Sequence, residues 1–540
     1  MFSTKHSIVL AIAVAIGMMV PIAALAQVTV TGEIHGLVKD PSGAVVPGAQ
    51  IELKDQATGI TKEAKSDAEG SFQFFNLPFG KYQVKVTAAG FQTAVYNDVV
   101  VESGRKADLP VNLAVGQPSE TVVVQAAAVR LETTSNQVAT TINNAYIQAL
   151  PLINRDTLQF ALLMAGSTGS GATATFNGLP NASMNITLDG MNNNSQRFKS
   201  GGTSFYEFAP TRLDAMEEVT VATTGAGADA AGGGAMSIAF VTRRGTSSYH
   251  GKVFDQWANT DLAANSFYNN YRIPYIPRSA YNQHDAGGQI GGPVKVPFVP
   301  YFKDRLFFFA NFEAMPRPAT STYSTSYLIS QAQAGTYTYF GSDNQNHTVN
   351  VLQLAGQNGY SNTIDPTVRN ILSQINATQA NATQQPMTTS DLNHQSYQWP
   401  YSAGSYSYFP TTRLDYQINK NLRWSGAWNL RWQSNLGTPS YPGLSQVYNS
   451  YWIETQVVSN SVDWTIKPNM TLASVFGIQD NWEVFYQEDN IHLWDGQGGR
   501  RISLGSGVGD LISNYTPWDR NNPVYSLKED LNWIKGKHSI

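Results

Sequence analysis

From Arg413 onward the chain places apolar and polar side chains on alternate positions. Leu414, Tyr416 and Ile418 alternate with Arg413, Asp415 and Gln417, and Asn419-Lys420-Asn421 then makes a short turn. Leu422, Trp424, Trp428, Leu430 and Trp432 alternate next with Arg423, Ser425, Asn429, Arg431 and Gln433. Val458, Val462, Trp464 and Ile466 alternate with Ser459, Ser461, Asp463 and Thr465; after a turn at Lys467-Pro468-Asn469, Leu472, Phe476 and Ile478 return. Successive side chains of a strand point to opposite faces, so this period of two predicts strands with one greasy and one polar face. Gly437 to Ser450, rich in Ser, Tyr, Gly and Pro, reads as a long loop. Short turns at one rim, long loops at the other and Trp or Tyr near strand ends suit a transmembrane β-barrel. The alternative is a soluble sandwich with a buried inner face, which needs neither the asymmetric connections nor so many large aromatics on one face.

Composition agrees without deciding. Charged residues are 14% of the chain, and 26 Tyr, 24 Phe and 11 Trp are spread along it. No internal apolar run is long enough for a transmembrane helix. A secreted all-β protein would look similar. The formal net charge of −4 and the lack of a long like-charge run give no reason to propose nucleic acid as a partner. With no cysteine, disulfides, thiolate metal sites and thiol catalysis are excluded. A chain of 540 residues is long enough for about three domains.

Residues 1–26 read as an export signal. Lys5 and His6 form a short basic region, Ile8 to Val20 is an apolar run too short to span a bilayer, Pro21 breaks it, and Ala24-Leu25-Ala26 gives a small-x-small cleavage pattern. Cleavage after Ala26 is expected, leaving Gln27 as the mature N-terminus; an N-terminal membrane anchor is the alternative.

Residues 28–115 carry short alternating runs separated by turn signals. Ile34 and Val38, then Ala49, Ile51 and Leu53, Phe72 and Phe74, Tyr82, Val84 and Val86, and finally Leu109, Val111 and Leu113 mark strand faces. Asp40-Pro41-Ser42-Gly43, Asp67-Ala68-Glu69-Gly70 and Asn76-Leu77-Pro78-Phe79-Gly80 are expected between strands. About seven short strands predict a β-sandwich. Gly36-Leu37-Val38-Lys39-Asp40, Val46-Pro47-Gly48-Ala49, Gly70-Ser71-Phe72-Gln73-Phe74 and Gly80-Lys81-Tyr82 resemble the carboxypeptidase regulatory-like domain, a non-catalytic family that sometimes binds carbohydrate. His35 is the only histidine of the stretch, and one histidine does not make a metal site.

Residues 117–126 end in Glu120-Thr121-Val122-Val123-Val124-Gln125-Ala126, which resembles the TonB box of TonB-dependent receptors. Three valines favour an extended backbone. Such a segment can add as an edge strand to a partner and be held through main-chain hydrogen bonds. Mechanical coupling of this kind answers a physical need, because an outer membrane has neither ATP nor an ion gradient of its own. One more strand or a linker is the plainer reading.

Residues 127–245 predict a mixed domain. Ile142 to Leu150 and Asn154 to Met164 read as short helices, the second capped by Asn154 or Asp156 and ended by Gly166. Met184 to Leu188 predicts a strand turning at Asp189-Gly190, and Met216 to Ala222 and Met236 to Thr242 predict two more. Gly225-x-Gly227-x-x-Ala230 is no dinucleotide loop, because a strand rather than a helix follows it. Leu150-Pro151-Leu152, Ile186-Thr187-Leu188-Asp189-Gly190-Met191-Asn192-Asn193-Asn194, Met216-Glu217-Glu218-Val219 and Gly232-Gly233-Gly234 resemble, in order and spacing, the plug of TonB-dependent receptors of the Oar-like group. Arg243-Arg244-Gly245-Thr246 and His250-Gly251 continue that resemblance across the junction. Ile153-Asn154-Arg155 and Ala226-Gly227-Ala228-Asp229 depart from the family spelling.

Residues 246–540 are expected to form the N-terminal, incomplete part of an outer-membrane barrel. Gly287-Gly288-Gln289-Ile290-Gly291-Gly292-Pro293 and Lys303-Asp304-Arg305-Leu306-Phe307-Phe308-Phe309-Ala310-Asn311-Phe312-Glu313 resemble the early barrel of Oar-like proteins. Plugged barrels have about 22 strands, more than this stretch supplies, so the sequence is expected to be a fragment. The expected fold class is therefore mainly β: a sandwich, an α+β plug and the first part of a 22-stranded transmembrane barrel.

Little in the chain suggests catalysis. The eight histidines are scattered, no His-Glu-x-x-His or phosphate loop occurs, and no Gly-x-Ser-x-Gly sits between a strand and a helix. The resemblance implies a non-enzymatic receptor without cofactor, lying in outer-membrane lipid, that takes up an extracellular ligand while the TonB periplasmic domain pulls on residues 120–126. Siderophores, glycans and peptides all stay open. The alternative is a structural or adhesive outer-membrane protein with a carbohydrate-binding sandwich, which has no need of a coupling strand.

Overall fold

The computed structural model describes residues 31–117, 121–125, 138–149, 155–169, 174–195, 207–224, 236–271, 281–295, 302–378, 387–388, 391–437, 440–443, 451–467, 469–485, 502–505, 507–511, 518–535 and 538–539. The expected export signal 1–26, the positions Glu120 and Ala126, the Leu150-Pro151-Leu152 stretch, Asn154 and the glycines Gly232, Gly233 and Gly234 lie outside the described residues.

The first domain is a sandwich of seven strands: β1 (Thr31–Lys39), β2 (Gln50–Asp55), β3 (Thr61–Lys65), β4 (Ser71–Pro78), β5 (Gly80–Thr87), β6 (Thr93–Val101) and β7 (Lys106–Asn112). One sheet runs β4-β1-β7, with β1 and β7 parallel; the other runs β3-β2-β5-β6. Ile34, Val38, Ile51, Leu53, Val84, Val86 and Val111 are buried between them, the positions that the alternation marks. One expected turn is corrected. Asn76, Leu77 and Pro78 belong to β4, and the chain crosses at Phe79 alone to β5 of the other sheet. Asn76 takes a positive φ of 51° inside the strand, and β1 shows a register shift opposite this stretch, between Gly32 and Ile34. The irregularity lets the strand bend rather than stop.

Thr121–Gln125 is strand β8, and it completes the second sheet of the sandwich. It pairs in parallel with β6, Thr93 opposite Thr121 and Asn97 opposite Gln125. Val124 packs against the sandwich core, while Val123 is exposed on the other face.

A central domain follows. Its strands are β9 (Val138–Asn143), β10 (Met184–Leu188), β11 (Met191–Asn192), β12 (Met216–Thr224) and β13 (Met236–Thr242), in sheet order β11-β10-β13-β12-β9. Strands β10 and β13 are parallel, and every residue of β10 is buried, as expected of a parallel strand covered on both faces. The predicted helix from Ile142 to Leu150 is present at Asn144–Ala149, with its first two residues, Ile142 and Asn143, closing strand β9 instead. Thr140, Thr141 and Ile142 are β-branched, and they pair with Val221, Thr220 and Val219 of β12, so sheet pairing delays the helix start past Ile142. The second predicted helix is a 3-10 segment, Thr157–Leu163, capped by Asp156, whose side chain accepts from the Leu158 amide.

The remaining strands form a 10-stranded antiparallel sheet: β14 (His250–Asn259), β15 (Asn282–Pro293), β16 (Leu306–Arg317), β17 (Ser405–Asn419), β18 (Leu422–Asn435), β19 (Tyr451–Lys467), β20 (Met470–Phe485), β21 (Trp518–Asn521), β22 (Val524–Lys535) and β23 (His538–Ser539). The two faces are inverted relative to a soluble sheet. Arg413, Asp415, Asn429 and Asp463 are buried on the inner face, which the central domain and the sandwich cover, whereas Phe312, Leu414, Trp464, Leu527 and Leu531 are exposed on the other. Charge inside and a largely apolar surface outside, interrupted at Glu529, is the arrangement that lipid selects. Between β16 and β17 the chain makes a folded insert. Strands Thr320–Leu328 and His394–Ser402 pair there, helix Pro366–Thr378 packs beside them, and Tyr327, Ile371, Ile375, Trp399 and Tyr441 form a separate small core.

Candidate functional site

Two joints hold the three parts together. The first is between the central domain and the polar face of the barrel sheet, and the Asp189-Gly190 motif is at its centre. Asp189 and Gly190 both take positive φ, 48° and 78°, which is the backbone a two-residue hairpin turn requires. The turn carries Asp189 to the end of β10, where its carboxylate accepts from the Thr242 amide at 2.9 Å and the Thr242 hydroxyl at 2.6 Å. Barrel side chains then converge on it. Arg413 donates to Asp189 Oδ1 at 3.3 Å, Asn429 to Oδ2 at 3.4 Å, Ser459 to the Asp189 carbonyl at 2.6 Å and Lys528 to the Gly190 carbonyl at 2.7 Å. Gln479 donates to the Asn194 carbonyl at 3.0 Å. Five barrel strands therefore grip one hairpin. Arg413 is itself fixed by Asp415, with contacts of 3.0 and 3.1 Å.

A second cluster on the same joint was not anticipated. Arg155, Arg212 and Asp214 of the central domain meet Glu313 of β16 and Lys252 of β14. Arg212 Nε lies 2.9 Å and Arg155 Nε 3.3 Å from Glu313 Oε1, while Arg155 also pairs with Asp214. Lys252 reaches Asp214 at 2.8 Å. The Asp214 and Glu313 side chains are fully buried. The Arg155 guanidinium lies over the Phe254 ring at 4.2 Å and that of Arg212 over Phe409 at 4.6 Å, so both cations are covered by aromatic faces. Desolvated charges of this kind are tolerated only when each has its partner.

The second joint attaches the sandwich. Arg244 Nη1 donates to Asp55 Oδ2 at 2.8 Å, and its guanidinium sits 5.3 Å from the Phe79 ring. The Ser103 amide donates to Glu218 Oε1 at 2.8 Å, Asn76 reaches the Leu472 carbonyl at 3.3 Å, and the Ser247 amide donates to the Ala57 carbonyl at 2.9 Å. Burial pushes the Glu218 carboxyl up to about 8, with Glu102 and Glu217 adding to the shift against the Ser103 amide and Arg105. A small cavity of about 40 Å³ lies at this joint, lined by Leu53, Tyr82, Arg244, Phe307 and Tyr416 among others.

Thr121, Val122, Val123, Val124 and Gln125 thus stand on the sandwich, and Asp189 and Gly190 stand on the barrel. The sequence reading missed Arg155, Arg212, Asp214 and Glu313. A signal was present, since Glu313 continues the odd-numbered, inward series Phe307, Phe309, Asn311 in a sequence poor in charge. Among the described residues no group of three or more His, Cys, Asp or Glu is placed to hold a metal.

Residues 241–540, more than half of the chain, match the outer membrane beta barrel domain family. The chain belongs to that family. Residues 33–114 match the carboxypeptidase regulatory-like domain. The TonB-dependent transporter Oar of Myxococcus xanthus is 23% identical over 314 residues, which cover 56% of this chain and 28% of the relative. The chain therefore spans under a third of that transporter's length and is an Oar-like relative of TonB-dependent receptors. Among solved structures, the outer membrane transporter YddB of Escherichia coli aligns with a TM-score of 0.46 and 9% identity, over 73% of this chain and 45% of that one. The ferric enterobactin receptor PfeA of Pseudomonas aeruginosa, as a mutant in complex with enterobactin, gives 0.37 and 12%, over 73% and 46%. Superpositions this loose carry no argument beyond the family match.

Proposed function

We propose that this outer-membrane chain carries the sandwich, plug and early barrel of a TonB-dependent uptake receptor, with the central domain as plug and Thr121–Gln125 within the energy-coupling segment. The observation that carries the reading is the order of attachment. A valine-rich strand that is the edge of its sheet among the described residues precedes a domain whose Asp189 hairpin and Arg155–Arg212 pair are seated on the polar face of an outer-membrane barrel sheet. The TonB periplasmic domain adds a strand to the coupling segment and pulls. Tension on β8 reaches the sandwich on one side and β9, the edge strand of the plug sheet, on the other. Release of the sandwich joint clears the Arg244–Asp55 contact, and the plug then shifts on its polar bed to open a path. Ligand enters from the rim that carries the folded insert at residues 319–404; its class stays open between siderophore, glycan and peptide because loops set specificity.

A peptide covering Gln117 to Ala128 is expected to bind the TonB periplasmic domain saturably, and Val123→Pro is expected to abolish it, because proline removes a main-chain donor. No binding, or binding indifferent to the proline, would contradict the coupling role and favour a passive or adhesive barrel protein.

A further inference from the structure

We infer that the sandwich serves as a scaffold that presents the coupling strand, so that an extended strand of the partner adds to the outer edge of β8 while β8 stays on β6. This rests on the coupling role proposed above and goes beyond it by assigning the sandwich a part in partner recognition. The pairing of β8 is the starting point. All five of its residues are in register with Thr93–Asn97, and β8 is the last strand in the order of that sheet. An edge strand offers a row of main-chain donors and acceptors to any incoming strand. Side-chain placement agrees. Val124 is tucked against the sandwich core, which fixes the strand, while Val122 and Val123 remain 41% and 62% exposed, leaving apolar surface for a newcomer to cover.

Two routes to a partner complex are conceivable, and they differ in what must break. Displacement dissolves the whole β6–β8 ladder and withdraws Val124 from the core before any new bond forms. Addition at the open edge breaks nothing among the described residues, and the strand is already ordered, so the ordering cost of a free segment is not charged at binding. The product is one continuous sheet running β3-β2-β5-β6-β8 and then the partner's strand. It also joins the partner firmly to the sandwich, so that force on β8 is delivered to the Asp55–Arg244 and Ser103–Glu218 contacts.

The absence of cysteine gives a clean test. Val95 and Val123 are register partners on the outer face of the sheet, so Val95→Cys with Val123→Cys can be oxidised to tie β8 to β6 in the full chain. The expected result is that oxidised and reduced forms bind the TonB periplasmic domain within about twofold of each other. A tenfold or greater loss in the oxidised form, restored by reduction, would overturn the scaffold and show displacement while leaving the coupling role intact. Binding by neither form, nor by the unsubstituted chain, would overturn both. Hydrogen exchange on the unsubstituted chain gives a second readout: amides of 93–97 keep their protection on partner binding if β8 stays, and lose it if β8 leaves.

Discussion

The plug joint and the sandwich joint are built from the same kinds of contact in different amounts. At the plug, two buried arginines share one buried glutamate, and five barrel strands hold a single hairpin. At the sandwich, one buried ion pair and a few main-chain contacts bridge the parts, and one of them relies on a carboxyl that prefers to be protonated. On the coupling proposed above, a chain pulled at β8 yields first where fewer charge-assisted bonds must break, so the sandwich leaves before the central domain shifts. Strand β8 is also joined to the weaker side.

The largest effect is expected at Glu313. Replacing it by Ala leaves Arg155 and Arg212 without their common carboxylate, a loss of about 3–5 kcal/mol. Denaturant unfolding in detergent checks this, and wild-type stability would count against the joint. The neighbouring residue sharpens the point, because Phe312 faces outward. Phe312→Arg is expected to cost about 2–4 kcal/mol near the bilayer midplane and much less towards a rim, measured by refolding into bilayers. Two adjacent positions would then fail for opposite reasons, one by losing a buried charge and one by gaining a charge in lipid.

A smaller effect is expected at Arg244→Met. Asp55 keeps the amides of Ala57 and Thr58, so the cost is about 2–3 kcal/mol. The loss should be selective: limited proteolysis releases the sandwich while the plug keeps wild-type resistance. A separate test uses pH. The Glu218 carboxyl is raised from 4.5 to about 8 in the folded chain. The folded state therefore holds a proton that the unfolded state has lost between those values. Its contribution is complete below 4.5, declines as pH rises and is gone above 8. Sandwich docking should weaken over that window, and Glu218→Gln, which keeps the acceptor for Ser103, should flatten the profile.

Sequence legibility follows the range of the interactions. The barrel faces could be read because a period of two is local, and the structure adds only which face is outward. The Asp189-Gly190 turn could be read as a turn, but its role as an anchor could not, since its partners Arg413, Asn429, Ser459 and Lys528 lie more than 200 residues on. Arg155 and Arg212 look like ordinary loop charges until Glu313 is placed between them. Strand β8 was legible as extended from its valines, whereas its neighbour β6 was not, because any edge strand of matching length would satisfy the same pattern. The helix read from Ile142 to Leu150 is present from Asn144 to Ala149, and only Ile142 and Asn143 go instead to strand β9, where they pair with β12.

The proposed coupling requires that energy delivered to β8 opens the sandwich joint. Ser103 meets Glu218 through its main-chain amide, so Ser103→Cys preserves the contact and places one thiol in a cysteine-free chain at a buried position. In cells, labelling of that thiol by a maleimide is predicted to rise when TonB is energised and to stay at its resting level with Val123→Pro. Labelling that is the same with and without energised TonB, or unaffected by the proline, would contradict the claim.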